Sequence, residues 1–299
     1  MSNTPLLSIC IPTFNRAAFL SHSLDKIVAQ EPFIESANVE IVISDNCSTD
    51  STQEVISLLI SRFPGKITYY RNETNLQDEN FELSLRRANG TFRKLISDTC
   101  LLADGTLAYL VKLVDMTKSY QPIIFFTNGN HKSQDDVINC TDLDSFLQHA
   151  SFSSTWIGGF GIWADHLSEI SDFSVYSKKQ LSQADVLFRM IATKKHSVVL
   201  TRPFCSIQNT GRKSGYNIAE VFGKNYLNLL KQQLALGNIS STSYEMQKKN
   251  VLLQHIIPFY FSADHDFSRS GFFKYLEDYR DDQYFYDAIE TMIFEKFKL

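Results

Sequence analysis

The chain has 299 residues, of which 43% are hydrophobic and 21% charged, a balance typical of a folded domain with a sizeable core. Its formal net charge of -4 and pI near 6.0 argue against a nucleic-acid partner, because a phosphate backbone is bound by a basic surface. Any anionic ligand must therefore be met by local positive groups.

The five cysteines are far apart in the sequence and never form a Cys-x-x-Cys pair. This pattern favours a reducing compartment and gives no zinc signature. The first residues lack a basic segment followed by an apolar stretch, and the apolar run at residues 251–261 is too short to span a bilayer. We therefore expect a cytoplasmic protein without a signal peptide.

Short apolar runs alternate with helical patterns in the first half of the chain. Runs rich in Ile, Val, Leu and aromatic residues predict buried strands at residues 7–11, 39–44, 67–71, 93–97 and 123–127. Apolar residues at helical spacing lie between several of these runs. The alternation predicts an α/β fold with a mostly parallel sheet flanked by helices, whose ligands bind beyond the carboxyl ends of the strands.

A second region follows the polar segment 206–216, whose glycines predict a loop. Helical patterns then cover residues 218–236, 244–257 and 271–297, and the last is dense in Phe and Tyr. Because its polar positions are mainly acidic, packing on the main domain or on a second subunit is favoured over membrane docking. We predict a main domain at 1–205 and a loop with a helical C-terminal appendage at 206–299.

The ends of the first two predicted strands carry polar residues. The first strand runs into IPTFNR at residues 11–16, which lacks the glycines of a dinucleotide-binding loop, so an NAD or FAD site is not expected. The second ends in SDNCSTD at residues 44–50. Asp45 is suited to accept hydrogen bonds from a base or a ribose, whereas residues 48–50 are better explained as caps of the next helix.

Three blocks at compatible spacing carry a family resemblance: LSICIPTFNR at 7–16, EIVISDNCSTD at 40–50, and NLQDENF at 75–81 followed by ANGTF at 88–92. Together they resemble glycosyltransferase family 2, which has the GT-A fold, and within it the branch of abequosyltransferase-like O-antigen and capsule enzymes. The resemblance covers the first third of the chain strongly and the rest weakly.

The resemblance implies a pocket for a nucleotide-sugar donor. Its lining residues would be Pro12, Thr13, Asn15 and Arg16. Asp45 would contact the base, and Asp78 and Asn80 would lie beside the sugar or the diphosphate.

The fourth predicted strand departs from the family pattern. Family members end it with an Asp-x-Asp or Asp-Asp-Asp motif that holds a divalent cation, whereas this chain reads LISDTCL at residues 95–101. We assign Ser97 and Asp98 to the donor site and Asp98 to a Mg²⁺ or Mn²⁺ ion. A single carboxylate makes a weak cation site, since such ions take several oxygen ligands. Metal dependence is therefore open.

Two outcomes follow from the incomplete motif. Cationic side chains can replace the metal, and Arg212 and Lys213, in the loop at 206–216, are the best-placed candidates to clamp the diphosphate. A solvated loop is an equally good explanation of this pair. In the other outcome the site has decayed, and the domain binds a nucleotide or a glycan without turnover.

The acceptor site and the catalytic base are expected in the second half. The segment WIGGFGIW at residues 156–163 resembles the family's acceptor segment, so Trp156, Gly158 and Gly159 are assigned to the acceptor. The helical segment 181–189 resembles the one that bears the base, and Asp185 is its nearest carboxylate. An ion pair of Asp185 with Arg189 at i+4 explains this carboxylate almost as well, and Asp165 is a weaker substitute.

The sequence thus predicts an inverting glycosyltransferase that moves a sugar from a nucleotide-diphosphate donor to a glycan or lipid-linked acceptor in bacterial surface polysaccharide synthesis. Inversion is implied by the resemblance. A degenerate domain that binds without turnover is the alternative, and a nucleotidyltransferase is disfavoured by the missing glycine-rich, basic first loop. Homo-oligomer formation and a peripheral contact with the inner membrane are left open.

Overall fold

The computed structural model describes residues 4–129, 135–173, 180–210, 217–262 and 268–297. Ten strands lie in these ranges: β1 (Leu7–Thr13), β2 (Val39–Asp45), β3 (Ile67–Arg71), β4 (Phe92–Leu95), β5 (Cys100–Leu102), β6 (Ile123–Phe126), β7 (Val137–Cys140), β8 (Gly161–Trp163), β9 (Ser197–Leu200) and β10 (Cys205–Ile207). Four of the five predicted strands become β1 to β4, and the fifth becomes β6.

The α-helices of the described residues are α1 (Ala17–Val28), α2 (Glu31–Glu35), α3 (Thr52–Arg62), α4 (Glu79–Arg86), α5 (Thr106–Thr117), α6 (Leu143–Ala150), α7 (Ala164–Ser168), α8 (Ser182–Lys194), α9 (Leu227–Ala235), α10 (Ser241–Val251), α11 (Ile257–Phe261), α12 (Phe272–Tyr275) and α13 (Gln283–Phe297). Short 3₁₀ turns occupy Ser151–Thr155, Ile157–Gly159 and Glu277–Tyr279. Two π-helical segments, Ala219–Tyr226 and Leu252–Ile256, precede α9 and α11.

The central sheet has the strand order β3-β2-β1-β4-β8. Its first four strands are parallel, and β8 runs antiparallel to β4. In the register of β1 and β2, Thr13 lies opposite Asp45, so both residues reach the same carboxyl edge of the sheet. This edge is where an open α/β sheet binds its ligands.

Two hydrophobic clusters cover the faces of this sheet, because successive side chains of a strand point to opposite sides. In β1, Ile9 and Ile11 enter the cluster formed with α1, α2, α3 and α5. Cys10 enters the other cluster, formed with α4, α6, α8 and the C-terminal helices. Burial of both faces accounts for the near-continuous apolar run of β1.

Two expectations need correction. The strand at 123–127 lies in a separate three-stranded sheet of order β6-β9-β7, linked to the central sheet by a bridge between Phe125 and Phe160. The pattern at 271–297 is broken into α12, a 3₁₀ turn and α13. Burial explains the break, because Tyr279 is fully buried and donates its hydroxyl to the Lys248 carbonyl at 3.0 Å.

The division at residue 205 remains a prediction. Strand β10 starts at Cys205 and pairs with β5, and one hydrophobic cluster joins Val42 and Phe188 to Leu229 and Phe285. The C-terminal helices therefore share a core with the sheet. Within the described ranges, no helix combines the length and apolar character needed to cross a membrane.

Gly90 lies in the loop before β4, which packs closely on β1. A Cβ atom at this position would lie 2.7 Å from the Ser8 amide nitrogen, and the Gly90 amide donates to the Ser8 hydroxyl at 2.8 Å and to Glu40 at 3.1 Å. Gly90→Ala should lower the free energy of unfolding by about 2–3 kcal/mol. Gly65→Ala, where φ is +77° and no atom lies within 4 Å, should lower it by about 1 kcal/mol. Urea denaturation measures both, and equal losses would contradict the packing argument.

Candidate active site

Asp98 joins the ends of two neighbouring parallel strands. Its Oδ2 atom accepts from the Thr13 hydroxyl at 2.9 Å, and its Oδ1 atom accepts from Nη1 of Arg16 at 3.0 Å. Asp98 is 3% exposed, whereas the Arg16 side chain is 41% exposed. The carboxylate is thus held inside the sheet edge, and the guanidinium faces outward from it.

The Asp98 carboxyl has a perturbed titration. Burial raises its pKa, and the charge and hydrogen bond of Arg16 oppose that rise without cancelling it. A guanidinium carries five N–H donors, and Arg16 uses one of them, on Nη1, to bind Asp98. Arg16 can therefore stay paired with Asp98 and still donate to a bound anion.

Polar residues around Asp98 fix the loop after β4 to α1. The Ser97 and Thr99 hydroxyls lie 2.9 Å apart, and the Ser23 hydroxyl donates to the Asp98 carbonyl at 2.8 Å. Gln208 donates its amide nitrogen to the Ser23 hydroxyl at 2.9 Å, and its backbone amide donates to the Thr99 carbonyl. The start of the predicted loop 206–216 is therefore attached beside Asp98.

Asp98 is the one carboxylate that the LISDTCL segment offers to a cation. Both oxygens of Asp98 are already engaged by Thr13 and Arg16. Cys100, which stands where the family motif ends, is buried in β5, and a hydrogen bond with Cys205 and burial raise the pKa of its thiol. No group of three His, Cys, Asp or Glu side chains suited to a metal occurs in the described ranges.

Asp45 ends β2 and is fully buried. Its Oδ1 atom accepts from the Ser48 amide at 2.9 Å and its Oδ2 atom from the Tyr69 hydroxyl at 2.6 Å, while Nε of Arg71 lies 3.7 Å from Oδ2. Each oxygen keeps a second lone pair. The predicted contact with a base stays a prediction, and the structure adds Tyr69 as the residue that orients the carboxylate.

Asn15 ties the loop after β1 to the loop after β2. It has a φ of 50°, its amide donates to the Ser48 hydroxyl at 2.9 Å, and its side-chain oxygen accepts from the Thr49 amide at 2.7 Å. Asp50, expected to cap α3, accepts from the amide and the hydroxyl of Thr52 at the start of that helix, at 3.2 and 2.6 Å, and its other oxygen accepts from the Ala17 amide at the start of α1 at 2.9 Å. Both loops are thus fixed relative to each other. Pro12 is buried within β1 beside them.

Asn80 lies in a buried polar network that the sequence did not suggest. Its side-chain oxygen accepts from Ser44 and Asn72, and its amide nitrogen donates to the Ser44 carbonyl at 2.7 Å. Arg87 completes the network by donating to the Ser44 hydroxyl and to Asn72. Both ends of the Asn80 amide are therefore used inside the protein, and its role beside the donor stays a prediction. The density of Asn residues at 72–80 was the available signal.

Asp78 precedes α4 and is half-buried. Burial raises the pKa of its carboxyl to about 6. The charged form of Asp78 is therefore destabilised at neutral pH, and a charge bound nearby would change the pKa of this carboxyl.

The assigned acceptor residues form a close-packed turn. A Cβ atom on Gly158 would overlap the Trp156 ring, and one on Gly159 would lie 2.6 Å from the Phe126 carbonyl oxygen. The half-buried Trp156 ring packs against Phe204 with ring centroids 5.8 Å apart. Glycine is needed at both positions so that the ring and the backbone can approach.

Asp185 lies in the first turn of α8 and is 4% exposed. Its Oδ2 atom accepts from Nε of Arg189 at 2.9 Å and lies 2.7 Å from Nη2, so the alternative ion pair is present. Burial raises the pKa of Asp185, and Arg189 opposes the rise. In the same turn, Gln183 donates to the Thr155 carbonyl at 2.6 Å, which joins α8 to the residue before Trp156.

The remaining candidates are placed as follows. Asp165 is exposed in α7 and accepts from the Gln121 side-chain amide at 2.9 Å. Arg212 and Lys213 lie outside the described residues. Their roles stay predictions.

The pKa of Asp78 gives a pH-dependent test. The folded pKa of about 6 lies above the ordinary value of 3.8, so the charged form of Asp78 is disfavoured in the folded protein. Ionised Asp78 therefore lowers the free energy of unfolding fully above pH 6, and this reduction disappears as the pH falls towards 4. Asp78→Asn should raise the free energy of unfolding by about 2 kcal/mol at pH 7.5, and by about half of that at pH 5. Exposed Glu73→Gln is the control. A gain from Asp78→Asn that is independent of pH would contradict the assignment.

The first half of the chain is similar in sequence to known glycosyltransferases. Residues 8–135 match the model of Glycosyl transferase family 2. The chain is 40% identical over 111 residues to the abequosyltransferase RfbV of Salmonella typhimurium, covering 37% of this chain and 33% of that protein. It is 31% identical over 110 residues to the GalNAc(5)-diNAcBac-PP-undecaprenol beta-1,3-glucosyltransferase of Campylobacter jejuni, covering 36% and 34%. The matched part thus spans about a third of these relatives.

Solved structures extend the fold assignment to nearly the whole chain. S. aureus TarS residues 1–349, in complex with UDP-GlcNAc, matches with a TM-score of 0.59 at 15% identity over 96% of this chain and 80% of that one. The mannosyltransferase PcManGT from Pyrobaculum calidifontis, in complex with GDP-Man and Mn²⁺, matches with a TM-score of 0.52 at 18% identity over 78% and 65%. The predicted fold class is confirmed. The chain has the GT-A fold, and its residues 8–135 match Glycosyl transferase family 2.

Proposed function

We propose that this protein is an inverting glycosyltransferase that moves a sugar from a nucleotide-diphosphate donor to a glycan or lipid-linked acceptor. The observation that carries the proposal is the junction of Thr13, Arg16 and Asp98, with Asp45 at the end of the adjacent strand. These groups lie at the carboxyl edge of a parallel sheet, where GT-A folds bind their donor. The family match of residues 8–135 supports the same chemistry.

In the donor complex, Asp45 binds the base, and Pro12 and Asn15 line the nucleotide pocket. Arg16 donates to the diphosphate from its position beside Asp98. Ser97, Asp78 and Asn80 complete the donor side, and Arg212 and Lys213 approach the diphosphate from the loop that starts beside Asp98.

During transfer, an acceptor hydroxyl oxygen attacks the anomeric carbon from the face opposite the diphosphate. The bond between that carbon and the diphosphate oxygen breaks, and the nucleoside diphosphate leaves with the bonding electrons. Asp185 takes the hydroxyl proton, and a carboxyl whose pKa is raised by burial is suited to that task. Arg16 offsets the charge that develops on the leaving group.

The positive charge at the diphosphate comes, in this proposal, from Arg16 rather than from a cation held by protein carboxylates. Its support is the engagement of both Asp98 oxygens by Thr13 and Arg16. The structure of PcManGT contains GDP-Man together with Mn²⁺. A cation that enters here with a donor would therefore be coordinated largely by the diphosphate and water.

The named relatives support a biological setting for this reaction. The Campylobacter jejuni enzyme is named for an undecaprenol-linked acceptor, and the Salmonella typhimurium enzyme for abequosyl transfer. We place the reaction in surface polysaccharide assembly at the cytoplasmic face of the inner membrane. The five cysteines, none of them paired, agree with a reducing compartment.

The incomplete motif favours one alternative, a domain that binds a nucleotide or glycan without turnover. Asp98 is the sole carboxylate of the LISDTCL segment. A turnover assay separates the two functions.

The assay incubates the full chain with UDP-, GDP-, CDP- and dTDP-sugars and p-nitrophenyl glycosides, and measures nucleoside diphosphate release and glycoside products. We expect one donor to support transfer. Asp185→Asn should reduce the transfer rate by at least about 100-fold, because the base is lost, and leave the donor Kd within about twofold. Asp172→Asn is the matched control, since it removes the other, exposed partner of Arg189 and keeps the Asp185 carboxylate.

Full transfer by Asp185→Asn would show that another group is the base. Donor binding by the wild-type chain without release or transfer for any sugar nucleotide would establish the non-catalytic alternative.

A further inference from the structure

Lys94 is a completely buried lysine in the middle of the central sheet. It lies in β4, opposite Ile9 of β1 and Gly161 of β8. Its Nζ atom donates to the main-chain carbonyls of Leu95 at 3.0 Å, of Phe160 at 3.1 Å, and of Gly158 in a shorter contact. The three hydrogens of an ammonium group match these three acceptors.

The surroundings of this amine are otherwise apolar. Nζ lies 4.6 Å from the centroid of the Phe126 ring and 5.3 Å from that of Phe204. No carboxylate in the described part of the chain forms an ion pair with Lys94, and burial lowers its pKa to about 7. A methionine or leucine would fill the same volume without this penalty, so the amine must serve its carbonyl partners.

Those partners belong to the segment assigned to the acceptor. The Gly158 and Phe160 carbonyls flank Gly159, whose close contact with the Phe126 carbonyl leaves no room for a side chain. The Trp156 ring rests directly on Gly158. A shift of the Gly158 backbone therefore moves the surface on which this ring lies.

We propose that Lys94 is a positioning residue for the acceptor: its amine fixes the Gly158 and Phe160 carbonyls and thereby sets the orientation of the Trp156 ring on which an acceptor sugar stacks. The inference rests on the proposed transfer function. It deepens that function by linking strand β4, which leads to Asp98, to the acceptor segment. Aromatic faces are favourable stacking surfaces for the apolar face of a sugar ring.

The test combines kinetics with fluorescence of the full chain. Lys94→Met keeps the length of the side chain and removes the donors. We expect the acceptor KM to rise at least tenfold for a p-nitrophenyl glycoside that the wild-type chain uses, with the donor Kd and the rate of donor hydrolysis by water within twofold of wild type. A general structural role would change donor binding as well.

Fluorescence reads the ring itself, because the chain has two tryptophans and Trp163→Phe leaves Trp156 as the single emitter. In that background, Lys94→Met should shift the Trp156 emission and change its quenching by acrylamide. Leu229→Ala is the matched control: Leu229 is buried in the hydrophobic cluster to which Trp156 does not belong, so the variant loses stability without moving the ring. Gly158→Ala displaces the ring while retaining Lys94 and should reproduce the acceptor defect.

The kinetic and fluorescence measurements distinguish failure of the proposed function from failure of the role proposed for Lys94. A wild-type chain that transfers to no acceptor, with an altered Trp156 signal in Lys94→Met, would refute the proposed function and keep the structural link. Unchanged Trp156 fluorescence, or an unchanged acceptor KM alongside active transfer, would overturn the role of Lys94. If Lys94→Met does not fold, Gly158→Ala decides in the same assays: a normal acceptor KM would overturn the proposal.

Discussion

The placement of the Asp98 carboxylate between Thr13 and Arg16 is the constraint on which the site depends. It joins the carboxyl ends of β1 and β4, and it holds a buried negative charge against one half-exposed guanidinium. Removal of one partner from such a pair leaves an uncompensated charge inside the protein, so the two residues stabilise the loop geometry together. The same pair leaves a positive group facing outward at the place where a donor diphosphate would bind.

A second set of contacts extends this order to the acceptor side. The segment before β8 is held to β4 by Lys94 and to α8 by Gln183, through the Gly158 and Thr155 carbonyls. The residues proposed for the donor, for the acceptor and for the base in α8 therefore belong to one connected structure. Charge and hydrogen bonds carry these connections, while the two hydrophobic clusters supply the rigid elements that the contacts join.

Sequence patterns predicted the parts of the fold that depend on local periodicity. Strands β1 and β2 appeared as apolar runs because both of their faces are buried, and the register then placed Asp45 and Thr13 at one edge. The sheet to which β6 belongs could not be predicted, since pairing with β9 joins residues far apart in the chain. The role of Lys94 could not be predicted from its place in β4, because its three carbonyl partners come from tertiary packing.

The most direct measurement is calorimetric titration of the wild-type chain and of Arg16→Gln with UDP, GDP, CDP and dTDP, each in Mn²⁺ and again in EDTA. The account predicts that one nucleotide binds the wild-type chain in EDTA and that Arg16→Gln weakens its binding at least tenfold. Binding that disappears in EDTA, or that is unaffected by Arg16→Gln, would contradict the assignment of the diphosphate charge to Arg16.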